Sequence, residues 1–386
     1  MRTLLPFGAI ALLLAGCGGS SESASPETQP TPPVVVTPPT PTPQEVMTAI
    51  HDKTNVANDS YSRFDIVGDG IMLVYSATNT NQVVNNLVVA DIHHTLMVDY
   101  TDPSNIKVTD IGLGTVARGT AVGDFDSDGV PDYYAYSHGH EFNDANGSSD
   151  YWAVEGDNVV YLSTSQYQGK RVGGGYTHGA CIGDFNGDGF ADIFDVNVYK
   201  NSPLVRYGDG NGNFQSPQDA PLELREPVEQ FFASCTVIDT NDDAINDVVL
   251  GRNSDYFQSL NGHTVLLGNS NGIEYGYQTD IPSYDGVNGI PGTLKMFNVN
   301  DRYVIAFVTD YRHVWAELLE VTNNGLVLAD SLPLSADGES AHDAELINGE
   351  MVIMSANATE LPIYYTQPLS HVKIVDGKLV EEVRTR

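Results

Sequence analysis

Positive charge is scarce in this 386-residue chain: 18 lysines and arginines stand against 51 aspartates and glutamates, a formal net charge of −33. A surface of that sign repels phosphate backbones, which excludes nucleic acid as a partner. Cysteine is also rare, with three residues, and the two that lie beyond the N-terminal region, Cys181 and Cys235, are weak grounds for a disulfide. Long apolar runs are missing. The run from Leu4 to Leu14 is too short to cross a bilayer as a permanent helix. Nothing in the pattern calls for a long amphipathic helix. What is present is a 41% hydrophobic content, enough for a sizeable core.

The first residues form a targeting segment rather than part of a fold. Met1-Arg2 supplies a short positive start, the apolar run follows, and the chain turns polar after Leu14-Ala15-Gly16-Cys17. That tetrad resembles the lipobox of bacterial lipoproteins. The resemblance implies removal of 1–16, lipidation of Cys17, and a cell-envelope location with the acyl anchor in the lipid bilayer. Gly18 follows the cysteine in place of an aspartate retention signal, which by the same resemblance implies the outer membrane. Residues 17–45 hold the lipidated cysteine and a Ser/Thr/Pro tether with no periodic apolar face, expected to be extended and disordered.

Self-similarity organises the remainder, 46–386. The pattern D-x-[DN]-x-D-[GA]-x-x-D occurs at "DFDSDGVPD" from Asp124, "DFNGDGFAD" from Asp184 and "DTNDDAIND" from Asp239, spaced by 60 and 55 residues. Weaker copies surround Asp65, Asn298 and Asn348. A second turn recurs late in each unit: "VEGDNVVYL", "YGDGNGNF", "LLGNSNGIEY", "VTNNGLVL" and "IVDGKLV", with "VADIHHTLMV" as the equivalent in the first. Two hairpins per unit make four strands. The expected fold is therefore all-β, a propeller of six four-stranded blades, with a seventh blade as the alternative. The three strong copies resemble FG-GAP/VCBS repeats, the calcium-binding blades of integrin-α-like propellers. The resemblance is strong over 115–275 and loose over the rest of 60–386.

Calcium takes six to eight oxygens, and alternate side chains of a tight loop can converge on one. The expected ligands are Asp124, Asp126, Asp128, the Val130 carbonyl and Asp132 in the first loop. They are Asp184, Asn186, Asp188, the Phe190 carbonyl and Asp192 in the second, and Asp239, Asn241, Asp243, the Ile245 carbonyl and Asp247 in the third. The first loop carries four of these carboxylates; the others carry three and an amide. The third has Ala244 where the others have glycine. Affinity should fall in that order, with two to three ions in all. An EF-hand is excluded by the strand-like flanks and by Ala135, Asp195 and Leu250 at the position that needs glutamate. Ions held wholly by protein on strand-to-strand turns are expected to be structural rather than catalytic.

Registry places a second set of residues at the opposite rim. Six positions before each leading acidic position stand Arg118, His178, Ala233, Gly292 and His342. After the second strands come His138, His140, Tyr199-Lys200, Arg252 and Arg312-His313. Such groups suit an anionic ligand. No firm catalytic residue emerges. By fold-level analogy with propeller polysaccharide lyases, His138, His140 or His178 would be the base, Tyr199 the acid and Arg118 or Arg252 the neutraliser. The favoured expectation is a monomeric, non-catalytic binding module for an extracellular or periplasmic glycan or protein, with a lyase of acidic glycans as the alternative.

Trp152 and Trp315 are read as starting third strands and packing between blades. Tyr133, Tyr134 and Tyr136 are placed on a second strand with the same role. Cys181 and Cys235 fall on neighbouring inner strands with opposite parity, which leaves open whether they meet.

Overall fold

The computed structural model describes residues 61–68, 70–76, 82–84, 87–89, 94–102, 105–113, 117–137, 140–143, 151–154, 156–197, 203–220, 232–252, 262–280, 292–309, 313–337, 341–347, 349–355 and 370–383. The leader, the tether, and the candidates His138, Tyr199, Lys200, Arg312 and Asn348 lie outside them.

The chain is an all-β propeller, and its described residues form six four-stranded antiparallel sheets, each a simple meander in chain order. Blade I is Tyr61–Gly68, Ile71–Ser76, His94–Asp99 and Lys107–Leu113; blade II is Ala117–Gly123, Asp132–Ser137, Gly156–Tyr161 and Gly169–Gly175. Blade III is Thr177–Gly183, Asp192–Asn197, Leu204–Arg206 and Gln218–Asp219; blade IV is Phe232–Ile238, Asp247–Arg252, Thr264–Asn269 and Gly272–Gln278. Blade V is Gly292–Asn300, Tyr303–Thr309, His313–Thr322 and Gly325–Asp337; blade VI is Ala341–Ile347, Glu350–Ser355, Ser370–Val375 and Lys378–Val383. First strands of consecutive blades lie against one another from I through VI, which makes them the inner strands.

Burial explains the sequence pattern. Second strands are covered on both faces by neighbouring blades, so they read as near-continuous apolar runs: every residue of Asp192–Asn197 is buried, and so are the last six of Tyr303–Thr309. Outer strands are covered far less, as in Lys378–Val383, where Leu379 alone is buried. The core is divided into clusters that bridge consecutive blades. Leu73, Tyr75, Tyr133 and Tyr161 join I to II, and Phe185, Phe194, Val248 and Leu266 join III to IV. Trp315 packs with Val249 and Val265 across IV and V, and Phe307 with Ile353 across V and VI. Each such side chain contributes about 1.5–3 kcal/mol on burial.

Two placements differ from the sequence reading. In blades I and II the second hairpin turns at 100–106 and 162–168, so "VADIHHTLMV" and "VEGDN" lead into third strands instead of forming the turn. Each of these blades also carries a separate two-stranded ribbon between its second and third strands, Gln82–Val84 with Leu87–Val89 and His140–Asn143 with Tyr151–Val154. Trp152 lies on the second ribbon, paired with Phe142 in register, and not on a third strand. The ribbons carry the same hairpin chemistry as blade strands, so period alone does not separate them.

The cysteines meet. Cys181 of blade III and Cys235 of blade IV form a disulfide with Cα atoms 6.0 Å apart, inside the cluster that joins those blades.

Candidate functional site

All three acidic loops join the first and second strands of their blades, and blades II, III and IV are consecutive, so the loops share one rim. They close by the same hydrogen bonds. The leading carboxylate folds back on the loop's own backbone. Asp124 accepts from the N–H of Asp128 and Gly129 at 3.1 and 3.0 Å, and Asp184 from Gly187, Asp188 and Gly189 at 2.7, 3.1 and 2.8 Å. Asp239 accepts from Asp242 and Ala244 at 2.7 and 2.8 Å. At position five, Asp128, Asp188 and Asp243 accept from the N–H of Val130, Phe190 and Ile245 at 2.8, 2.9 and 2.9 Å. Position six is left-handed in each, with φ of 80° at Gly129, 86° at Gly189 and 65° at Ala244. Only Ala244 meets that demand against its Cβ, at a cost of about 1–2 kcal/mol.

Position nine has a distinct job. Asp132 is fully buried and accepts from the Phe125 N–H at 2.8 Å and the Ser163 N–H at 2.7 Å. Asp192 does the same for Phe185 and Gly208 at 2.9 and 2.8 Å. Asp247 does it for Thr240 and Gly268 at 2.8 and 2.9 Å. Each carboxylate thus clips the acidic loop to the end of its blade's third strand. Burial pushes all three pKa values up, against the pull of these N–H donors; Asp192, with the carboxylates of Asp188 and Asp184 beside it, is raised to about 7. Among the bare protein's groups, these anions are held at a cost that a nearby cation would relieve.

The loops differ at position three. In the first, ligand-type oxygens of Asp124, Asp126 and Asp128 converge within 4.8 Å of one another. Asp126 Oδ1 is buried there with no hydrogen-bond partner, while Oδ2 accepts from the Thr164 hydroxyl. The Ser163 hydroxyl donates to Asp128 at 2.7 Å, which holds that carboxyl below its usual range. An orphaned, inward carboxylate oxygen among carboxylates is what an oxygen-seeking cation satisfies, so this donor set fits calcium. In the second and third loops the amides of Asn186 and Asn241 donate to Asp188 and Asp243 at 3.0 Å each. Those donor sets are partly closed on themselves.

The loops are tied together. Asn246, beside the third loop, donates its N–H to the Asp184 carbonyl at 3.0 Å and accepts the Asp184 N–H on Oδ1 at 2.9 Å. The outer turn of blade III, read in the sequence as a hairpin, is also an acid-amide turn at Asp209, Asn211 and Asn213. Its D-x-N-x-N spacing was visible, but the Lys170 ammonium of blade II already contacts the Gly212 carbonyl and Asn213 Oδ1 at 3.2 and 3.0 Å.

At the opposite rim, Arg118, His178, Ala233 and His342 are second residues of first strands and Gly292 begins one, as registry requires. Arg118 is exposed and His178 half-buried. Arg252 ends the second strand of blade IV opposite Phe232, and His140 begins the ribbon of blade II. His313 is exposed and its ring lies tilted at 45° against Trp315, with centroids 5.7 Å apart.

Two polar links between blades are buried. Tyr134 of blade II donates to Asp195 of blade III, whose other oxygen binds Arg206. His263 of blade IV meets Glu317 of blade V at 2.7 Å, with both side chains almost wholly enclosed. The signal for both was present as a lone acid inside an apolar run, "IFDV" and "WAELL".

No family model matches the sequence, and no curated protein matches it. Solved structures do. The GH43 β-1,3-galactosidase BT0265 aligns with a TM-score of 0.38 and 9% identity over 81% of this chain and 71% of that one. The Dos1 propeller aligns with a TM-score of 0.44 and 8% identity over 82% and 72%. Values this low leave the activity of either protein without bearing on this chain.

Proposed function

We propose that this chain is a calcium-stabilised propeller of FG-GAP/VCBS type, carried to the cell envelope on a lipidated Cys17, and that it serves as a non-catalytic binding module for a glycan or protein. The observation that carries the calcium reading is the convergence of Asp124, Asp126 and Asp128 oxygens together with the buried, partnerless Oδ1 on Asp126. When bound, calcium would supply positive charge to loops whose acids otherwise repel, locking the rim of blades II to IV. Asp124, Asp126 and Asp128 would hold the first ion; the loops from Asp184 and Asp239 would follow with lower affinity, because an asparagine must first give up its carboxylate. The binding role is supported by the spread of the rim residues Arg118, His178, Arg252 and His342 over four different blades, II, III, IV and VI.

The test is a panel of soluble polysaccharides, neutral and uronate-bearing, read both for retention of the protein and for release of unsaturated ends. Retention without new ends supports the module. New unsaturated ends that vanish in His178→Ala would overturn it in favour of a lyase.

A further inference from the structure

Between blades IV and V, on the rim of the acidic loops, lies a groove of about 1070 Å³. Three turns and two strands line it: the third acidic loop, the turn before blade V's second strand, the outer hairpin of blade V, and the third and fourth strands of blade IV at Leu267 and Tyr277. It is large enough for several sugar rings. Its walls are fixed before any ligand arrives. Tyr277 of blade IV accepts the Leu326 N–H of blade V at 2.5 Å, and Asn298 of blade V donates its side-chain amide to the Val237 carbonyl of blade IV at 2.8 Å. Gly325 permits the first of these: a Cβ there would stand 2.4 Å from the Tyr277 hydroxyl.

The lining has a definite chemistry. Asp239, Asp242 and Asp301 offer carboxylates, Asn323 and Asn324 exposed amides, and Leu267 and Tyr277 an apolar flank. Among the described residues lining it, none is basic. Arg302, next to Asp301, is turned onto Glu320 by a 2.8 Å bond and lies over the Tyr303 ring. Asp242 and Asp301, which stand outside the proposed calcium ligands, leave the groove negative and repel uronates and sulfates. Amides bring donors as well as acceptors, which suits vicinal hydroxyls better than a purely cationic ligand that needs acceptors alone. The apolar flank suits the C–H face of a pyranose.

From these features we infer that the groove is a subsite for a neutral oligosaccharide, on the rim opposite the Arg/His candidates. The inference rests on the binding-module reading and assigns its ligand class and place.

The experiment uses the purified protein with neutral glucans and galactans, a polyuronate and oligolysine, measured by affinity electrophoresis and calorimetry. Asn324→Trp fills the groove and Asp301→Lys reverses its charge; both positions are exposed turn residues, and Arg118→Ala serves as the opposite-rim control. Wild type should bind a neutral glycan, insensitive to salt. The groove variants should weaken that binding about ten-fold or more, and Arg118→Ala should not. Oxidative footprinting of wild type should protect Tyr277 when the glycan binds, a readout independent of variant folding. Neutral-glycan binding that survives both variants with Tyr277 unprotected would overturn the groove and leave the module intact. Salt-sensitive binding of oligolysine alone, or of the polyuronate alone, would likewise overturn it. Failure of every panel member to bind would overturn the binding role as well.

Discussion

The phenolic hydroxyl of Tyr134 in blade II donates to Asp195 Oδ1 in blade III at 2.6 Å, inside the propeller. The second carboxylate oxygen takes Arg206 Nε at 3.0 Å, and both charged side chains are almost fully enclosed. Burial works most strongly against the Arg206 charge, yet Asp195 and Tyr134 together outweigh it and move the guanidinium pKa up. Replacing Arg206 by alanine strands a buried carboxylate and should cost about 3–5 kcal/mol in urea unfolding. Tyr134→Phe, which removes one donor, should cost about 1.5–3 kcal/mol. Because both act on one carboxylate, the double variant should fall short of the sum; strict additivity would count against the network.

The disulfide between Cys181 and Cys235 closes 54 residues of sequence separation and ties blades III and IV. Loop-closure entropy for that length is worth about 4 kcal/mol. Cys181→Ala with Cys235→Ala should lower unfolding stability by that order, and reducing agent should reproduce the loss in the wild type. Equal stability of the two forms would show that packing alone holds these blades together.

Gly325 sits at φ 94° beneath the Tyr277 hydroxyl. Gly325→Ala should therefore cost about 2–4 kcal/mol, from the left-handed backbone and the clash together. Tyr277→Leu should relieve part of that cost in the double variant, visible as a positive coupling in thermal melts. A neutral Gly325→Ala would mean that the turn shifts freely.

Within the first loop, position three and position nine should behave oppositely. Asp132→Ala leaves the N–H groups of Phe125 and Ser163 without their acceptor. It should destabilise by about 2–4 kcal/mol whether chelator or calcium is present. Asp126→Ala removes a like charge and no backbone bond, so it should be neutral or slightly stabilising in chelator. It should also lose the gain that calcium brings to the wild type.

Much of the propeller was legible because its punctuation is chemical. The acidic loops mark first-to-second-strand turns, and "NSNG", "TNNG" and "VDGK" mark outer hairpins at the positions found. Blades I and II were harder because inserted ribbons carry the same strand and turn residues, which is why Trp152 was assigned to a blade strand. The loop acids stood out by spacing, but spacing treats every acid alike. Only burial separates the clips Asp132, Asp192 and Asp247 from the less buried acids earlier in each loop. The cysteine pairing turned on the convergence of inner strands, a distance that parity does not encode. The groove was invisible beforehand, since its walls come from turns more than 80 residues apart, at Asp239 and Asn324.

The central claim is that the acidic rim holds calcium, and the most direct measurement is a calcium titration of chelator-stripped protein by isothermal calorimetry, paired with a melt at each end point. The account predicts saturable uptake of two to three ions, a higher melting temperature in the loaded form, and loss of the tightest site in Asp126→Ala. No heat of binding and identical melts with and without millimolar calcium would contradict it.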